Sequence, residues 1–107
     1  MPEPEKRDTE RYGLELPIRV TWEDGAGQEQ ESTGITRDIS SSGAYVVCDC
    51  PLEEGCRICL LIDFPISFLG VKKSRVAAHG RVVRDNILSN RAYGHGIVFD
   101  HFWFTSP

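Results

Sequence analysis

No run of about eighteen apolar residues occurs in this 107-residue chain, which rules out a membrane-spanning helix. The opening residues, Met1-Pro2-Glu3-Pro4-Glu5-Lys6-Arg7, lack the apolar stretch of a secretory signal. The expectation is therefore a cytoplasmic protein with no membrane insertion. Positive charge is also short: 12 Lys and Arg stand against 16 Asp and Glu, for a net charge of −4. Sequence-independent DNA or RNA binding needs a broad basic surface, and this balance does not supply one. A small anionic ligand needs only a few local cations. Long-range steering would not help it, so short-range contacts must carry the affinity.

Catalytic signatures are missing as well. There is no G-x-S-x-G, no H-E-x-x-H and no phosphate-binding G-x-x-x-x-G-K-[ST]. Ser40, Ser41 and Ser42 have no evident base or metal to activate them. The chain reads as a binding protein, not an enzyme.

No segment keeps a helical period either. What is present is alternation. Leu14, Leu16, Ile18, Val20 and Trp22 fall on one face of a strand, with Pro17 best placed at an edge. Asp24–Gly27 is a turn. A polar strand follows over about 28–38, with Ile35 its one large apolar residue. Further strands are expected at 44–50, 56–64, about 71–84 and 93–99. Pro65–Gly70 reads as an apolar loop and 85–91 as a turn. Gly80 marks a bulge or bend in the long fifth strand. At 40% hydrophobic residues there is enough for a single modest core. Six short strands with turns between them make a small antiparallel β-barrel, which hides its own edges. The domain should span 14–107, with 1–13 a flexible N-terminal arm. Residues 100–107 carry three aromatics in a row. They read as a short aromatic C-terminal tail, either a plug over one barrel mouth or a partner-docking patch.

Two short motifs stand about thirty residues apart. Arg7-Asp8-Thr9-Glu10-Arg11 is an R-x-x-x-R in the arm. Asp38-Ile39-Ser40-Ser41-Ser42-Gly43 is a D-x-S-x-x-G between two strands. Two guanidiniums can grip phosphates and stack on purines. A carboxylate and a hydroxyl can read the donor edge of guanine. The pair makes a receptor for an anionic guanine nucleotide. Each motif also has a plainer reading, as two solvated arginines and as an Asp/Ser/Gly turn. Lys6 and Arg37 lie beside the motifs as further cations.

The order and spacing of these motifs, with the strands around them, resemble the PilZ family. The likeness runs from about Lys6 to Phe99. It includes Leu14–Val20, Pro51-Leu52…Gly55, Gly80-Arg81-Val82-Val83-Arg84 and Gly96-Ile97-Val98-Phe99. It implies a six-stranded barrel that binds the bacterial second messenger cyclic di-GMP and signals to a downstream protein partner. By resemblance, Arg7 and Arg11 contact guanine and phosphate, and Asp38 and Ser40 take the guanine donor edge. Gly43 lets the loop turn without a Cβ in the way. Lys6 bears on whether one ligand or a stacked pair binds. The alternative function is a nucleotide-independent interaction domain of the same fold.

Cys48, Cys50, Cys56 and Cys59 form C-x-C…C-x-x-C. Four thiolates so close could hold zinc. Within strands, however, Cys48 and Cys50 would face one way while Cys56 and Cys59 face opposite ways. The expectation is four reduced thiols, with neither zinc nor a disulfide.

Overall fold

The computed structural model describes residues 13–64 and 74–105. It contains β1 (Pro17–Glu23), β2 (Glu29–Ile39), β3 (Gly43–Cys48), β4 (Arg57–Phe64), β5 (Ser74–Ser89) and β6 (Ala92–Thr105). They close into a barrel in the order β1-β2-β3-β6-β5-β4, and every pair is antiparallel. The expected arm lies outside the described residues for 1–12, as do the apolar loop expected at Pro65–Gly70 and positions 71–73.

The inward faces follow the period of two read in the sequence. Leu16, just ahead of β1, and Ile18 and Val20 within it join Ile58, Leu60 and Ile62 of β4 inside the barrel. Ala44, Val46, Val76, Ala78, Val82 and Ile97 complete the wall, and Leu52 caps it from the β3–β4 connection. Pro17 opens β1, and the ladder to β4 starts only at Ile18, so the missing N–H costs no bond there. The register does shift between His79 and Gly80, but the extra residue is Asp100 of β6, so the bulge lies on the strand opposite Gly80 and not in β5.

Three further expectations need correction. In β2 the large apolar residue that enters the core is Ile39, while Ile35 is 39% exposed. The cause is a bulge between Thr36 and Asp38. Arg37 is the extra residue, so Thr36 and Ile39 both point inward, three positions apart. The turn expected over 85–91 shrinks to Asn90–Arg91, because β5 and β6 pair as far as Ser89 and Ala92. Polar Asp85 and Asn86 suit this ribbon because both are exposed. Residues 100–105, read as a tail, are the second half of β6. His101, Phe102, Trp103 and Phe104 pair with His79, Ala78, Ala77 and Val76. Alternation then splits the aromatics. Phe102 and Phe104 line the barrel mouth, and Trp103 packs on the opposite face against His79 and His101.

Thr36 decides how the chain enters the barrel. It is fully buried, and its Oγ1 accepts the Leu16 N–H at 2.9 Å and donates to the Leu14 carbonyl. Its own N–H donates to the Leu16 carbonyl at 2.9 Å. This clamp fixes Leu14–Leu16 against β2 and leaves Gly13 next to Arg37. A Cβ on Gly13 would stand 4.0 Å from the Arg37 carbonyl oxygen.

Candidate ligand-binding face

The D-x-S-x-x-G motif spans the end of β2, a short loop and the start of β3. The bulge at Arg37 sets its head. Asp38 pairs with Tyr45 across the ladder, and Arg37 and Asp38 come together on the outer side. Arg37 is exposed and Asp38 half-buried.

The loop itself is held by its own atoms. Ser40 N–H donates to the Gly43 carbonyl at 2.9 Å. Ser42 N–H donates to Ser40 Oγ at 3.2 Å, and the Ser40 and Ser42 hydroxyls are 3.1 Å apart. Phe99 N–H donates to the Ser42 carbonyl at 2.9 Å and ties the loop to β6. Ser40 is buried, and its hydroxyl is engaged within the loop by Ser42 and Gly43. The partners shown for that hydroxyl are the Ser42 N–H, the Ser42 hydroxyl and the Gly43 carbonyl, none of them a general base.

Gly43 is required for a different reason from the one expected. Positive φ occurs at Gly27 and Gly55 among the described glycines, not at Gly43. Gly43 pairs with Val98, and a Cβ there would collide with the Ile97 carbonyl oxygen and lie 3.3 Å from its carbon. The absent Cβ makes room for β6 rather than for a left-handed turn.

Of the other expected site residues, Lys6, Arg7 and Arg11 lie outside the described residues. Arg37, Asp38, Ser40 and Gly43 are brought together. Tyr45 was missed by sequence reasoning. The available signal was its position, an aromatic on the outward register of a strand whose inward residues are Ala44 and Val46.

A second feature adjoins the loop. A recess of about 500 Å³ opens at the barrel mouth, lined by Leu14, Ile39, Ser40, Ser41, Phe64, Val76, Phe99, Phe102 and Phe104. Its walls are mostly hydrocarbon, so it does not suit a dianionic ligand.

The four cysteines are free thiols. Burial is the first cause raising the pKa of each above the usual thiol value. A thiol held protonated is a poor metal ligand and a poor nucleophile. Among the described residues no group of three or more His, Cys, Asp or Glu is placed to hold a metal ion.

Comparison with known proteins places the chain in a family. The family model for the PilZ domain matches residues 5–102. The chain belongs to the PilZ domain family. Two solved PilZ-fold structures superpose on it. One is the inhibitor of motility MotI/DgrA of Bacillus subtilis, with a TM-score of 0.70 and 17% identity, over 94% of this chain and 48% of that one. The other is the PilZ domain of YcgR from Escherichia coli with cyclic di-GMP, with a TM-score of 0.54 and 16% identity, over 90% and 79%. At such identities the likeness shows the fold alone. The chain spans about half the length of the Bacillus protein. No curated protein matches the chain in sequence.

Proposed function

We propose that this PilZ domain is a receptor for cyclic di-GMP, bound between its N-terminal residues and the outer face of β2 and β3. The observation that carries the reading is the meeting of chain entry and loop. Gly13 lies against Arg37, next to Asp38, because Thr36 clamps Leu14 and Leu16 to β2. Two residues of extended chain reach at most about 7 Å, so Arg11 starts within reach of that loop. Arg7 and Arg11 take phosphate and guanine, and Arg37 and Lys6 add charge. Asp38 accepts from the N1–H and N2–H₂ of guanine. Ser40 must turn its hydroxyl away from Gly43 to share in that contact. Gly43 keeps β3 close to β6. Among the described residues of this face none is set to cut a phosphodiester, and in this reading the ligand acts as a signal.

The YcgR PilZ domain was solved with cyclic di-GMP, which supports the ligand class. Binding draws the arginines onto the barrel and changes the surface that a downstream protein meets. Arg7→Ala and Arg11→Ala test this. Each removes a charge-assisted bond and should weaken binding about 10- to 150-fold. The barrel should melt unchanged. Amide exchange of residues 1–12 should slow when ligand is added. A double variant that binds like wild type would overturn the site.

A further inference from the structure

A second bulge opposes the one at Arg37, and the two build a shelf. Asp38 pairs with Tyr45, Tyr45 with Gly96 and Gly96 with Arg84. These four residues form one row across β2, β3, β6 and β5. In β5 the register shifts between Val82 and Arg84, so Val83 is the extra residue. Val83 and Arg84 therefore share the outer side, and both are exposed. A Cβ on Gly96 would stand 3.5 Å from Arg84 Cβ and 3.7 Å from Val83 Cγ2. On the other side the Tyr45 ring covers Gly94, where any Cβ would collide with its hydroxyl. The result is a bare glycine floor at Gly96, walled by Tyr45 and by Val83 with Arg84, with Asp38 at its head.

Charge marks the same place. Arg19, Arg57 and Arg75 are paired with Glu31, Asp100 and Asp63. Arg84 has no such carboxylate partner among the described residues, as is also true of Arg37, Arg81 and Arg91; what sets Arg84 apart is its place in the row with Asp38 and Gly96. Strands stand about 4.8 Å apart, so three spacings put the Asp38 and Arg84 Cα atoms about 14 Å apart. The wall between them is curved, so the two side chains must turn toward one another over Gly96 to close on a single purine.

We propose that the Gly96 floor seats a guanine base and that Arg84 holds its O6/N7 edge while Asp38 holds its N1/N2 edge. The inference rests on the protein being a cyclic di-GMP receptor. O6 and N7 are acceptors that match the fork of a guanidinium. Adenine presents an amino group at the corresponding position and would face the arginine with a donor. Arg84 thus discriminates guanine from adenine at a second edge, independent of Asp38. Tyr45 is a positioning residue, held flat by Gly94.

The test is calorimetry on wild type, Arg84→Ala, Arg84→Lys and Arg91→Ala. The ligands are cyclic di-GMP and its analogue with 7-deazaguanine, which has C–H in place of N7. Arg84→Ala should lose about 10- to 100-fold toward cyclic di-GMP. Arg84→Lys should recover only part of it, because an ammonium lacks the fork. Arg91→Ala removes the same charge at the β5–β6 turn and should bind like wild type. Toward the deaza analogue, Arg84→Ala should cost much less, since the N7 bond is already gone. Wild-type affinity in Arg84→Ala, with Arg7→Ala and Asp38→Ala still impaired, would overturn the shelf and leave the receptor reading standing. Equal losses in Arg84→Ala and Arg91→Ala would also overturn it, as bulk charge. Absence of cyclic di-GMP binding by wild type would sink both.

Discussion

Replacing Gly43 by alanine puts a methyl group into the narrowest contact of the ligand loop. The new Cβ meets the Ile97 carbonyl oxygen well inside contact distance. That carbonyl cannot retreat, because Ile97 is paired with Ala44 on one side and Val82 on the other. The start of β3 must move instead. Movement strains the Ser40 N–H to Gly43 carbonyl bond and the Phe99 N–H to Ser42 carbonyl bond, both 2.9 Å. Overpacking costs about 1–3 kcal/mol and each bond about 0.5–1.5, so the total is about 2–6 kcal/mol. A domain of this size holds about 5–15 kcal/mol, so the variant should still fold in the cold. Its Tm should fall by at least about 8 °C. Calorimetric melting checks this beside two other glycines. A Cβ on Gly25 meets nothing within 4 Å, so Gly25→Ala should match or slightly exceed wild type. Gly27 has φ 81°, and Gly27→Ala should cost about 1–2 kcal/mol from backbone strain alone. If Gly43→Ala melts with Gly25→Ala, the loop is not fixed by packing on β6.

Thr36→Val keeps the shape of the buried clamp but strips the hydroxyl. Leu16 N–H and Leu14 carbonyl lose their partner, and urea unfolding should show a loss of about 1–3 kcal/mol or more. Asp24 accepts the backbone N–H groups of Gln28 and Ala26, and the Gln28 bond is the main cause holding its carboxyl below the ordinary 3.8. Its stabilisation is present above that value and fades as pH falls through the lower folded value. Asp24→Asn should flatten the acid side of a stability–pH profile, and a carboxyl NMR titration should find Asp24 low. Burial raises the thiols, most deeply at Cys48, so a thiol reagent should react slowly at neutral pH and faster toward alkaline pH. The same shift makes folding lose stability as pH climbs past the ordinary thiol value of 9.0.

The barrel was legible because alternation carries directly into burial. Leu16, Ile18 and Val20 lie on the inward face that their spacing predicts, while Leu14 at the head of the same stripe is 38% exposed. Bulges were less legible. Gly80 flagged a register shift, but the extra residue lies on the strand opposite, at Asp100. Arg37 and Val83 carry no such mark, so the inward turn of Ile39 and the outward turn of Arg84 were hidden. Both depend on register, which pairing between distant strands sets. The extended β5–β6 ribbon was obscured by Asp85 and Asn86, which favour turns when local preference decides. Long cross-strand pairing overrode them. Within the candidate site, Asp38, Ser40 and Gly43 stood out through their spacing. Tyr45 and Gly96 join them only once β3 and β6 are side by side.

The most direct measurement is titration calorimetry of the wild-type protein with cyclic di-GMP and, separately, cyclic di-AMP. Guanine gives Asp38 two donors, and adenine turns an acceptor toward the same carboxylate. A carboxylate left facing an acceptor costs about 1–3 kcal/mol or more, so cyclic di-GMP should bind at least about 5-fold tighter. Equal affinity for the two dinucleotides, or heat from neither, would contradict the account.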